Sequence, residues 1–336
     1  MAKKIAFLAF ICVLAASPLC AQSKTGTTIG DFLLIEPSAR IAGMGNAGAT
    51  MYSEIQAAYY NPAAIGLLSS TGVQFSHIPW LAGISYNFAG AALSLGSFGN
   101  VYAGVTSLNS GEIDVRTVEQ EQGTGERYTV SDIAIAIGYG RQVSDRFSVG
   151  VQAFYLQETI WHSSLNAYAL SVGTIYRLSP DGLHIGASIS NFGTRGSFNG
   201  RDLRIKYDQN SQVYGDNGVL PGELVTGDFP LPVLFRVGVG MPVSISEQNR
   251  LNFAVDALHR SDNTESMNFG VEWEFLNTLM LRGGYQDLFQ KDSETGLTLG
   301  VGIHYAFNAV QLSFDYGWVD HGRLEKVNML TLGASF

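Results

Sequence analysis

Six histidines are the first places to look for chemistry in this chain: His77, His162, His184, His259, His304 and His321. They stand singly, with no H-x-x-x-H pair and no cysteine beside any of them, so the spacing of a zinc site is missing. Nucleophilic catalysis needs a histidine and an orienting acid in reach of a serine or cysteine, and linear spacing neither assembles nor excludes such a trio. The expectation is no enzyme, no metal and no cofactor. One motif has the outline of a nucleotide site. Gly43-Met44-Gly45-Asn46-Ala47-Gly48 matches G-x-G-x-x-G, which works only between a strand and a helix and with an acid about 20 positions on. Pro37 spoils the preceding strand and residues 63–69 hold no acid, so these glycines read as packing elements.

The charges are more informative. Asp132, Arg177, Arg236, Asp256, Glu272, Glu274, Arg282 and Asp315 each sit within a run that alternates apolar with small or polar residues, always on the polar parity. Arg236, Asp256, Glu272 and Arg282 fall on four consecutive runs, which favours pairing of these four across the wall of a sheet. Buried charges pair, so these four with Asp315 read either as a structural ladder or as a polar conduction path.

The runs that must position them have period two. In 296–306, Leu297, Leu299, Val301, Ile303 and Tyr305 alternate with Thr298, Gly300, Gly302, His304 and Ala306. The runs 130–140 and 265–275 repeat the pattern, and two faces of one sheet then meet two media. A soluble sandwich would need strands of about 5–6 residues, whereas these run to about 8–15, near the ~9–11 that a membrane-spanning strand needs. Aromatics mark the strand ends (Trp80, Trp161, Tyr168, Tyr176, Trp273, Tyr285, Tyr305, Trp318), as an interfacial girdle requires.

The spans 71–78, 83–96, 100–108, 130–140, 146–160, 166–178, 183–192, 232–241, 249–259, 265–275, 278–286, 296–306, 310–319 and 327–336 make an even set of fourteen. Within 83–96 the apolar set switches from Ile84, Tyr86 and Phe88 to Ala91, Leu93 and Leu95, which reads as a bulge at Ala89-Gly90. Alternate connections average about 13 and about 4 residues, the contrast of extracellular loops with periplasmic turns. The fold expected is all-β, a fourteen-stranded antiparallel transmembrane barrel over 71–336, with both termini in the periplasm. The long loops 109–129 and 193–231 are the expected contact surfaces. Asp216-Asn217-Gly218, in the second, lacks the spacing of an EF-hand and reads as a turn.

Composition agrees. Of 336 residues, 46% are hydrophobic and only 15% charged, with 39 glycines; a net charge of −9 argues against a nucleic-acid partner. Residues 1–21 read as a signal peptide: Lys3 and Lys4 precede an apolar stretch from Ile5 to Ala16, too short to span a bilayer. Cys12 and Cys20, the two cysteines, leave with it. Residues 22–70 lack alternation and are rich in small residues; they are expected to fold into the periplasmic end of the lumen as a plug.

The stretches PSARIAGMGNAGAT, AAYYNPAAIGLL, SHIPWLAGISY, LPVLFRVGVGM, LRGGYQDLF and GLTLGVGIHYAF, with a terminal Phe336, resemble the PorV/PorQ family of outer-membrane proteins, relatives of the FadL fatty-acid transporters. The resemblance covers essentially the whole mature chain. It implies a fourteen-stranded barrel and a hatch motif at Asn61, Pro62 and Ala63. It also implies a place in the outer membrane, among its lipids. The work implied is in type IX secretion, with other secretion proteins and secreted cargo as partners, cargo being accepted and passed to surface-attachment machinery. The FadL side of the resemblance implies an alternative, transport of hydrophobic small molecules.

Overall fold

The computed structural model describes residues 25–179, 182–208, 212 and 219–336. The signal-peptide segment and the Asp216-Asn217-Gly218 turn lie outside the described residues. Fourteen antiparallel strands close into one ring: β1 Gly72–Pro79, β2 Ser85–Ser94, β3 Asn100–Asn109, β4 Val130–Ser144, β5 Phe147–Ile160, β6 Ser163–Arg177, β7 His184–Gly193, β8 Leu234–Ser246, β9 Asn249–Arg260, β10 Ser266–Phe275, β11 Leu279–Leu288, β12 Leu297–Phe307, β13 Val310–Asp320 and β14 Lys326–Ser335. Each pairs with its chain neighbour, and β14 returns to β1 with Ser335 opposite Gly72. No edge is left open, which is how a sheet satisfies its backbone in lipid.

The alternation read from sequence is the wall itself. Val301 is 48% exposed on the outer surface and Thr298 is 0% exposed inside. One reading fails. β2 is a single strand, as expected, but its register with β1 and β3 runs without interruption through Ala89 and Gly90, so no bulge is present. The apolar set switches sides because Tyr86 and Phe88 point inward, where they are buried with Tyr102, Phe32, Leu33 and Ile55. An inward position next to a packed interior takes a large apolar side chain; an inward position next to water would not.

That packed interior is residues 29–70. Four short helical turns, Asp31–Leu34, Ala39–Ala42, Ala57–Tyr60 and Pro62–Leu67, carry it through the lumen. At the long-loop end Ile29 N donates to Pro230 O at 3.0 Å and Gly30 N to Glu158 Oε1 at 2.6 Å. At the short-turn end Ser148 Oγ donates to Ala63 O at 2.8 Å and Asn100 Nδ2 to Ile65 O at 2.7 Å. This corrects two expectations. The segment runs the length of the lumen instead of occupying its short-turn end. Its first described residues lie beside the long loops, with Thr25 Oγ1 against Asp262 O, so they and Phe336 lie at opposite ends of the barrel.

The wall faces assign a measurable cost. Val301→Arg puts a charge into lipid and is expected to cost about 2–4 kcal/mol at mid-depth. Val301→Ile should cost nothing measurable. Denaturant midpoints, read by heat-modifiable gel migration, compare them; equal midpoints would show that this face does not meet lipid.

Candidate functional site

The five wall charges singled out above, Arg236, Asp256, Glu272, Arg282 and Asp315, are all buried inside the barrel. They do not form one ladder. Strand register separates them into two clusters, and a residue of the inner segment completes each one.

In the first cluster Arg236, on β8, meets Asp256, on β9, at 3.2 Å, one diagonal step across the pair. Its other partner is Glu36 of the inner segment, and its Nη1 donates to the carbonyl of Asn46 at 2.8 Å. The guanidinium also lies 5.2 Å from the centre of the Tyr60 ring. Asp256 in turn accepts from Ala49 N at 2.8 Å.

In the second cluster Glu272, on β10, sits directly opposite Arg282, on β11. Arg282 Nε donates to it at 2.7 Å, and Arg282 Nη1 reaches Asp315 of β13 at 2.7 Å. Arg40 of the inner segment closes the cluster with a two-pronged contact on Glu272, Nε at 2.8 Å and Nη2 at 2.7 Å. Asn252 Nδ2 adds a fourth donor at 2.9 Å. Forked arginine–carboxylate contacts of this kind fix orientation as well as charge.

Asn61 does a different job. Its Oδ1 accepts from Ala63 N at 3.0 Å and caps the turn that begins at Pro62, while Nδ2 donates to Ala49 O at 2.7 Å and to Thr174 O of the wall at 3.1 Å. The wall makes room with glycine. A Cβ on Gly173 would overlap Asn61 Oδ1, and one on Gly150 would overlap the Pro62 carbonyl. Pro62 and Ala63 are buried beneath that contact. The glycines of the G-x-G-x-x-G match pack likewise: Gly43 lies against Gly300, and Gly48 against the Tyr60 ring.

The remaining sequence-selected groups stay apart. Arg177 lies over Tyr52, Asp132 stands opposite Glu158, and Glu274 opposite Arg250. The histidines take separate partners, among them Asp202 for His162 at 3.0 Å and Glu265 for His259 at 3.1 Å. Among the described residues no three His, Cys, Asp or Glu side chains could hold a metal.

Two hollows remain. One, of about 850 Å³, opens between the long loops and is lined by Ile113, Val115, Tyr128, Trp161, Phe198 and Leu203. The other, of about 610 Å³, opens at the short-turn end.

A family model described as "Type IX secretion system protein PorV" matches residues 19–258, well over half of the chain. The chain belongs to the PorV family. It is therefore an outer-membrane barrel of the type IX secretion system, associated with that system's components. No curated protein sequence matches it. Among solved structures it is similar to the Pseudomonas putida toluene transporter TodX, with TM-score 0.55 and 12% identity over 90% of this chain and 98% of that one. A Pseudomonas aeruginosa FadL homologue gives TM-score 0.53 and 11% identity over 89% and 98%. The Ralstonia pickettii toluene transporter TbuX gives 0.53 and 12% over 89% and 97%. At such identities the likeness is one of fold, and the PorV-family barrel carries the FadL-type architecture.

Glu272 is the expected weak point of the lumen. Glu272→Gln removes the carboxylate that both Arg40 and Arg282 grip, and breaking a buried pair this way costs about 3–5 kcal/mol. The denaturant midpoint should fall accordingly; a loss below about 1 kcal/mol would mean that the inner segment is held without this cluster.

Proposed function

We propose that this PorV-family barrel binds secreted protein cargo at its long-loop end and hands it on at the cell surface, with residues 29–70 acting as a fixed plug. One observation carries the reading: the long loops, not the lumen, hold the open apolar surface. Tyr128 and Trp161, their ring centres 5.9 Å apart, line the cleft together with Phe198 and Leu203. Aromatic anchors that a partner buries dominate protein recognition. Within the lumen Arg40, Glu36 and Asn61 tie the inner segment to the wall from strand to strand, and the hollow at its short-turn end is lined by charged as well as apolar side chains. The long loops face the exterior in this reading, and the short turns the periplasm. No catalytic step is part of it.

The alternative is passage of a hydrophobic small molecule, and the similarity of fold to TodX and TbuX favours it. For that route the plug would have to give way, at the cost of two buried ion clusters.

Three measurements test the proposal. A cysteine at Gly123 should react with an impermeant maleimide on intact cells and one at Asn277 should not; the reverse inverts the orientation. Replacing 201–224 by a short glycine-serine turn should abolish surface attachment of cargo, while Asn61→Ala should leave most of it. If Asn61→Ala instead stops uptake of a hydrophobic solute and the loop variant still delivers cargo, the transport reading takes over.

A further inference from the structure

The hollow at the short-turn end is a chamber of about 610 Å³ whose lining mixes apolar side chains with polar and charged ones. Met51, Ile55, Leu67 and Met280 are among the apolar ones; Glu54, Arg40 and Asp315 are among the charged. Of the three carboxylates Glu54, Glu272 and Asp315, Glu54 is the one that no salt bridge reaches among the described residues. It is 7% exposed, Ser38 Oγ donates to its Oε1 at 2.8 Å, and its Oε2 has no hydrogen-bond partner. A buried carboxylate oxygen left alone carries a desolvation penalty that a partner would remove.

The charge balance around it is also incomplete. Arg40 and Arg282 bring two positive charges to this cluster; Glu54, Glu272 and Asp315 bring three negative ones. Arg40 is paired with Glu272 and Ser53, and Arg282 with Glu272 and Asp315. His304 stands 3.5 Å from Asp315, not at Glu54. At the rim Arg250 and Glu274 face each other across β9 and β10 and balance. The cluster is thus one cation short.

We propose that this chamber is a binding site for a guanidinium or ammonium group on an aliphatic stem, with Glu54 as its counter-ion. The stem lies along Met51, Ile55, Leu67 and Met280, and the charged end meets Glu54, the division of labour by which arginine and lysine side chains bury. A chamber of this size lies in the ordinary range for ligand sites, ~300–1,000 Å³, and holds more than a single side chain. The ligand is then either a basic residue within a protein segment or a free small cation. The inference rests on the reading of orientation given above only for which compartment supplies the ligand.

The test uses the folded, full barrel in detergent micelles, titrated calorimetrically with N-acetyl-arginine amide and with its uncharged isostere N-acetyl-citrulline amide. The arginine compound should bind at least tenfold more tightly. Glu54→Gln keeps the oxygen that accepts from Ser38 and should bring the two compounds to equal affinity. If that variant does not fold, methyl-labelled methionines read the same question in the unaltered protein. Met51 and Met280 should shift with the arginine compound and not with the citrulline one. A pentapeptide, acetyl-Gly-Gly-Arg-Gly-Gly-amide, that binds more tightly than the single residue assigns the site to a protein segment; equal affinity assigns it to a small cation. Equal binding of arginine and citrulline compounds to the unaltered barrel, or an arginine preference that survives Glu54→Gln, overturns the proposal. None of these readings depends on cargo delivery, so the site and the secretion role can fail separately.

Discussion

Glu272 has no access to water, and the architecture of the lumen follows from what it needs. A carboxylate in that position must be met by cations and donors on every side, or its burial costs more than its contacts return. Arg282 comes from the next strand, set opposite by register, and Asn252 from the strand before. The third partner, Arg40, cannot come from the wall at all; it is carried in by the inner segment. Closing the barrel and seating the segment are therefore coupled, because a wall that closed around Glu272 without Arg40 would hold a cluster short of one cation. Arg236 repeats the arrangement with the signs exchanged, taking Asp256 from the wall and Glu36 from the segment.

Glycine makes those contacts possible. Hydrogen bonds from Asn61 to Thr174 O, and the seat of the Pro62 carbonyl on β5, require backbone to approach backbone. Any side chain at Gly173 or Gly150 would hold the two apart. The high glycine content that marks this sequence is thus not a sign of flexibility. It is what a wall looks like when its inner face is covered by another piece of chain.

The wall was legible and its filling was not, and the reason is physical. Period two is visible wherever lipid lies on one side, since a misplaced charge there is costly; hence fourteen strands, an inward Glu272 and an inward Asp315 could all be read. Glu36 and Arg40 lie in a segment that has no period, so nothing local says which way they point. The two clusters therefore looked like one ladder. The false bulge at Ala89-Gly90 has the same origin. Tyr86 and Phe88 are large because they face Phe32 and Ile55, and without the inner segment the only account of their parity was a kink in the strand. The N-terminal residues were misplaced because loop-length asymmetry sorts connections between strands, and residues 25–70 are not a connection.

The likeness to toluene transporters sharpens the division between fold and function. A barrel of this design can leave a path through its centre, or it can commit the centre to structure and recognise at its two ends. Here the centre carries paired charges, caps and backbone seated on glycine. The ends differ in chemistry: aromatic and apolar between the long loops, mixed apolar and charged in the short-turn chamber. A protein that hands cargo from one partner to another has no need of an open bore. It needs a rigid body in the membrane with two distinct faces, and a filled lumen supplies that rigidity.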